Sequence, residues 1–249
     1  MERSILAKAP AKSVLEFLTT ENCRIENQEA ANITQTSHRS YFHPKELREW
    51  DEFNVQTMEK IYGGKLMKEA RKNGCDDLFF PILDPFDCIV SEESGTSNIL
   101  NKWTHTIVTK ALRVVENTLH PSIWIAKRGN INSNDGRTST KKKGSSGSLS
   151  RLKPDAGAIA ACDMCPSIER LPKDYKTASK WNSEHLRLTY LKENGEWRPG
   201  ARAKNYTMPI GQIYTYCVTF GCRYGCIVST SEAFIFRIKP LEIGPGETT

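Results

Sequence analysis

Apolar positions follow two different periods along the chain. Between residues 93 and 119 they recur every three or four residues, at Ile99, Leu100, Trp103, Ile107, Val108, Leu112 and Val115. That spacing lines one stripe of a helix and predicts a single α-helix from Glu93 to Leu119. Downstream the pattern shortens. Residues 122–126 (Ser-Ile-Trp-Ile-Ala) and 156–160 (Ala-Gly-Ala-Ile-Ala) are brief apolar runs, and 223–230 and 233–238 are two more, parted by a polar turn at Ser231-Glu232. Each reads as a strand. Asp174-Tyr175-Lys176 reads as a further strand. Between it and the last two runs, Gln212 and Tyr216 stand one helical turn apart and share a helix face.

The first third is less regular. Residues 2–20 predict a short helix after Pro10, built on Ile5, Leu6, Val14, Leu15, Phe17 and Leu18, and 21–40 are a polar loop. His43-Pro44 is expected to open a helix with proline at its first position. Leu47, Trp50, Phe53, Met58, Ile61 and Tyr62 extend that helix to Gly63-Gly64, and a further helical stretch stops at Asn73-Gly74. Residues 75–90, with Pro81 and Pro85, read as packed irregular structure. The organisation expected is a mainly helical N-terminal extension over residues 1–90 and an α/β (α+β mixed sheet) domain over residues 91–249. Within that domain, residues 127–150 are rich in Gly, Ser and Asn, carry Lys141-Lys142-Lys143, and predict a flexible basic loop.

Composition changes this picture little. A chain of 249 residues suits one large domain, or a catalytic domain with an extension. No stretch of 18 apolar residues exists, so no membrane partner is expected. Lys8, Pro10, Lys12 and Glu16 interrupt the N-terminus, so no signal peptide is read, and an intracellular, nuclear or cytoplasmic location is expected. The net charge of +6 suits a nucleic-acid partner. The eight cysteines are then expected as reduced thiols. Cys162 and Cys165 have the spacing of half a zinc site that Cys217, Cys222 and Cys226 can extend. Alternatively, Cys217 and Cys226 are small buried apolar residues.

Candidate chemistry lies in a split signature. Pro154-Asp155 is followed by Asp174-Tyr175-Lys176, a PD…DxK pattern, and then by Gln212-Ile213-Tyr214-Thr215-Tyr216, a QxxxY pattern. Paired carboxylates hold a hard divalent cation through oxygen. Such a cation polarises a phosphoryl group and lowers the pKa of bound water. A lysine beside it orients that water or offsets transition-state charge. Asp174 and Lys176, two apart on a strand, face one side; the alternative is a surface strand of salt bridges among solvated neighbours such as Lys173. Gln212 and Tyr216 can bond phosphate or orient the lysine, or simply pack a helix on the sheet.

A hairpin of 122–126 with 155–160 places Asp155 near the loop end of the first strand. The preceding helix, running antiparallel to that strand, then begins at the same end. This brings Glu93, with Glu92 beside it, to the acidic pair as a third metal-ligating carboxylate, and leaves Glu116 roughly 35 Å away. Otherwise the two glutamates serve the helix N-terminus through its dipole. Lys141, Lys142, Lys143 and Arg151 are candidate phosphate contacts, with Tyr216, although a solvated loop explains the lysines equally.

At these residues the chain resembles the PD-(D/E)XK nuclease superfamily, of restriction-endonuclease-like fold. Residues 151–239 are similar to fungal members in which an acid-x-Lys strand runs into a Lys-Trp pair, here Lys180-Trp181. A Gln-containing helix then leads to an Arg-Tyr-Gly strand and a Ser/Thr-Glu turn, here Arg223-Tyr224-Gly225 and Thr230-Ser231-Glu232. The QxxxY helix is a feature of RecB-like members. The resemblance implies a core of about four or five strands flanked by helices, with Mg²⁺, for which Mn²⁺ can substitute, at Asp155 and Asp174. It implies hydrolysis of DNA, in preference to RNA, with Asp155, Asp174, Lys176 and Gln212 as catalytic residues. Two features depart from the pattern: the second acid is Asp rather than the commoner Glu, and Pro172 removes a backbone donor from a central strand. The alternative is a catalytically inactive module of the same fold, effector-like or a self/non-self factor, with a protein partner engaged through residues 1–90.

Overall fold

A computed structural model describes residues 11–28, 41–67, 78–115, 123–126, 154–160 and 171–239. Lys141, Lys142, Lys143 and Arg151, the basic loop and the Cys162/Cys165 pair lie outside them. The architecture is mixed α/β, with small mixed sheets and several helices.

Three helices and a minimal sheet precede the main strands. Helix α1 (Val14–Thr19) starts where the Ser13 hydroxyl accepts from the Glu16 amide at 3.0 Å, satisfying a donor the first turn leaves open. Strand β1 (Glu26–Asn27) pairs in parallel with β2 (Ile89–Val90), so the expected loop 21–40 and the irregular 75–90 each carry a short extended segment. Between them lies α2 (Val55–Met58), capped by Asn54, whose side chain accepts from Thr57 N at 2.8 Å, and continued by a π-helical turn Glu59–Gly63.

The helix expected to open at His43-Pro44 is absent. Residues 41–50 instead run as an irregular strap across the C-terminal elements. Its backbone is engaged over long range: Phe42 N donates to Thr215 Oγ1 (2.8 Å), Leu47 N to the Gly195 carbonyl (2.9 Å), and the Pro44 carbonyl accepts from Trp197 Nε1 (2.9 Å). These bonds replace the intrahelical ladder. Gly195 is shaped for the contact: it has φ +83°, and a Cβ there would overlap the Leu47 carbonyl. At its end the strap stacks Trp50 on Phe53 (4.9 Å) and on Tyr224 (6.0 Å), with Arg237 over the Trp50 ring at 4.5 Å.

The long helix predicted from Glu93 is two helices, α3 (Glu93–Lys102) and α4 (Thr104–Val114), broken at Trp103, whose φ and ψ are −98° and −78°. The break serves two different cores. Ile99 and Leu100 pack with Val90, Ala156 and Tyr175, whereas Trp103, Ile107 and Ala111 pack with Phe17 and Leu78. The Trp103 indole is fixed by donating to Asn22 Oδ1 at 3.2 Å and stacking on Phe80.

Strand β3 (Ile123–Ala126) pairs antiparallel with β4 (Gly157–Ala160), Ala126 opposite Gly157. Just before β4, Ala156 makes a two-bond antiparallel bridge to Lys173, at 2.8 and 3.2 Å. That bridge joins the hairpin to a second sheet, in which β5 (Lys173–Tyr175) runs parallel to β6 (Tyr224–Val228) and β6 antiparallel to β7 (Ala233–Arg237). Pro172 is accommodated because β5 begins after it; its carbonyl still accepts from Cys226 N at 3.1 Å. Two helices link β5 to β6. The first, α5 (Ser183–Tyr190), was not legible in the apolar pattern, and starts where Asn182 caps His185 N and Glu232 accepts from Ser183 N at 2.6 Å. The second, α6 (Met208–Phe220), is the QxxxY helix. It packs Ile210, Ile213 and Tyr216 against Trp181, Leu186 and Ile227, so Trp181 is core.

Candidate active site

Strand β5 decides the site. Alternation along it sends Asp174 and Lys176 toward α6 and Lys173 and Tyr175 to the opposite face. Asp174 is registered opposite Ile227, a fully buried core residue beneath α6, and is itself only 1% exposed. Surface salt bridging is thereby excluded for this carboxylate. Lys173, read as solvated, is also buried, with its ammonium 3.5 Å from His105 Nε2. Tyr175 OH lies 3.2 Å from the same nitrogen, so β5 is held from behind by a buried polar cluster on α4.

On the α6 face the predicted residues converge. The Lys176 ammonium lies 2.6 Å from Asp174 Oδ2 and 3.4 Å from Glu93 Oε1, and donates to the Tyr175 carbonyl at 3.0 Å. The contact with Oδ2 is off the hydrogen-bond axis, so that oxygen has an ionic neighbour and no aligned donor. Gln212 Nε2 reaches Asp174 Oδ1 at 3.4 Å and Tyr216 OH at 2.9 Å; it positions the acid rather than the lysine. Asp155, at the bridge between β4 and β5, accepts from Tyr175 N through Oδ2 at 3.0 Å. Glu93, first residue of α3, faces Lys176. Glu92 turns away, its carboxylate accepting from the Ser94 hydroxyl on the exposed side.

Burial and crowding set the electrostatics. Burial raises Asp174 from the ordinary 3.8 to about 7; the Lys176 ammonium opposes this and the Asp155 charge adds to it. Burial alone would pull the Lys176 ammonium down, but Asp174, Glu93 and Asp155 together hold it above its ordinary value. Burial raises the Tyr216 phenol, helped by the charge on Asp174 and opposed by Gln212. Opposite charges thus neutralise one another inside a largely dry pocket, and one carboxylate changes state near neutral pH.

One further residue belongs here that sequence reasoning missed. Tyr41, at the head of the strap, is half-buried, and its phenol is raised by burial and by the charge of Asp174, with Lys176 opposing. No local signal marks it. Its place follows from the bond between its neighbour Phe42 and Thr215, next to Tyr216.

The donor set suits a hard cation in kind. It consists of carboxylate oxygens, among them Asp174 Oδ2, which has no aligned donor, with the Tyr175 carbonyl alongside. Among the described residues no three His, Cys, Asp or Glu side chains form a ready metal cluster. Mg²⁺ needs only one or two carboxylates when waters and substrate oxygens complete its shell. The described cysteines offer no such site: Cys217 and Cys226 are buried on α6 and β6, and burial raises the Cys226 thiol to about 11. No described helix is long and apolar enough to cross a membrane.

Comparison with protein-family models, with curated proteins and with solved structures finds no match for this chain.

Proposed function

We propose that the chain is a metal-dependent nuclease of the PD-(D/E)XK type, hydrolysing DNA phosphodiesters. The observation that carries the reading is the convergence of Asp155, Asp174, Lys176 and Glu93 from separate elements into one pocket, with Asp174 buried and unmatched at Oδ2. A functionless buried ion pair is a poor use of a fold's stability, because desolvation offsets most of the Coulombic gain. The chain order of helix, β3, β4, β5, helix and β6, with β5 parallel to β6, supports the restriction-endonuclease-like core.

In this reading Asp155 and Asp174 hold Mg²⁺, with Glu93 at its open side. Bound there, the cation supplies Lewis acidity toward the phosphoryl oxygen and a more acidic water. Asp174 exchanges its proton, or the ammonium beside it, for the cation. Lys176, released toward solvent, holds the attacking water or the phosphoryl oxygen. Gln212 keeps the Asp174 carboxylate in its rotamer, and Tyr216 keeps Gln212 in place. The test is cleavage of plasmid and single-stranded DNA in Mg²⁺, Mn²⁺ or EDTA, comparing the wild type with Asp174→Ala/Lys176→Ala. Metal-dependent cutting lost in the double variant supports the reading.

One observation favours a second reading, a binding module that has lost turnover. The Lys176 ammonium already neutralises both Asp174 and Glu93, and no three-ligand cluster is formed among the described residues. That module binds nucleic acid, or a protein partner, without cutting. Absence of cleavage by folded wild type in every metal selects it.

A further inference from the structure

The strap is held over one edge of the pocket by more contacts than a loose extension would need. The Phe42 amide bonds to Thr215, one residue before Tyr216 and one turn beyond Gly211. The His43 ring fills the notch left by Gly211, where a Cβ would stand 2.6 Å from the ring. The same ring meets Trp197 edge-on at 6.0 Å, and Trp197 donates to Pro44. Three consecutive residues are therefore fixed against α6 and the loop before it. Their position leaves Tyr41 no choice but to lie beside the Gln212–Tyr216 face. There its phenol sits in the fields of Asp174 and Lys176, and it adds to the field on Tyr216.

We propose that Tyr41 is a substrate-facing residue of this site, its phenolic hydroxyl donating to a phosphoryl oxygen of nucleic acid bound at Asp174 and Lys176. The inference rests on the nuclease reading and deepens it: the strap becomes one wall of the cleft. The chemistry is that of an anion site needing neutral donors. Asp174, Asp155 and Glu93 make the pocket acidic, and Lys176 is its only described cation. A phosphodiester entering it needs a further donor that adds no repulsion, and a phenol kept protonated at neutral pH is one. A hydroxyl on a rigidly anchored strap loses little freedom when it bonds, so its contribution falls on the reacting complex.

The experiment is steady-state cleavage of a labelled DNA duplex in Mg²⁺ by wild type, Tyr41→Phe and Tyr41→Ala, each assayed well below its melting midpoint. The result expected is a kcat lower by roughly tenfold to a hundredfold in Tyr41→Phe, the loss of one donor to a charged group. KM and the melting midpoint of that variant stay near the wild-type values, which a merely structural role would not produce. Tyr41→Ala should lose at least as much. Full activity in Tyr41→Phe overturns the inference and leaves the nuclease reading standing, whether or not Tyr41→Ala is impaired, because only the ring would then matter. A Tyr41→Phe loss matched by a comparable drop in melting midpoint also overturns it. Absence of metal-dependent cleavage in the wild type overturns the nuclease reading and this inference with it.

Discussion

Replacing Asp174 by Asn isolates the electrostatic condition of the pocket. The substitution keeps the side-chain shape and the Oδ1 acceptor that Gln212 reaches, and removes the carboxylate that burial drives toward its neutral form. In the wild type the native pKa is raised from 3.8 to about 7. Native protein therefore binds this proton more tightly than the unfolded chain does. Below about pH 4 both states carry the proton and the contribution is complete. As pH rises the unfolded chain releases it first, and by the time pH passes about 7 the contribution is gone. Stability thus falls with rising pH across this window. A displacement from 3.8 to about 7 corresponds to about 4 kcal/mol at most. Of the other groups facing Asp174, the Tyr41 and Tyr216 phenols and the Lys176 ammonium are all held above the window. The assay is urea denaturation in EDTA from pH 4 to pH 8 for wild type and Asp174→Asn. The difference between the two stabilities should shift by a few kcal/mol in favour of the variant as pH rises. Mg²⁺ should stabilise the wild type more at pH 8 than at pH 5, because proton and cation compete for one carboxylate. Parallel curves for the two proteins would show that Asp174 is not held near neutrality, and equal Mg²⁺ stabilisation of the variant would show that the cation does not sit there.

Lys176→Ala should lower cleavage by at least about a hundredfold in the same plasmid assay while circular dichroism stays native; retained activity would remove the lysine from the chemistry. Glu93→Gln should weaken Mg²⁺ dependence, read as a higher Mg²⁺ concentration for half-maximal cutting, whereas Glu92→Gln should leave it unchanged because that carboxylate faces Ser94. Gly195→Ala forces a side chain into φ +83° against the Leu47 carbonyl, and should cost roughly 3 kcal/mol in thermal denaturation and expose residues 41–53 to protease. Glu232→Ala removes the carboxylate that accepts from both the amide and the hydroxyl of Ser183, and should destabilise by about 1–2 kcal/mol without changing the metal requirement.

The local periods of the sequence determined much of this protein. Strands at 123–126, 157–160, 224–228 and 233–237 and the helix bearing Gln212 and Tyr216 stand where short apolar runs and turn residues put them. The two-residue repeat of a strand was enough to set Asp174 and Lys176 on one side, and the handedness of a helix feeding a hairpin was enough to bring Glu93 toward Lys176. Tertiary structure decided the rest, because it turned on contacts far apart in sequence. Leu47, Trp50 and Phe53 have helical spacing, yet their segment is extended: Thr215, Gly195 and Trp197 supply hydrogen bonds that outweigh a helix with no face of its own to bury. The stripe from Ile99 to Val115 is continuous, yet the helix breaks at Trp103 because its two halves pack on different cores. The ionisation of Asp174 was also out of reach of the sequence. A carboxylate two residues from a lysine reads as a surface pair until α6 closes over it, and only that burial carries it from 3.8 to about 7 and makes the pair a site rather than a salt bridge.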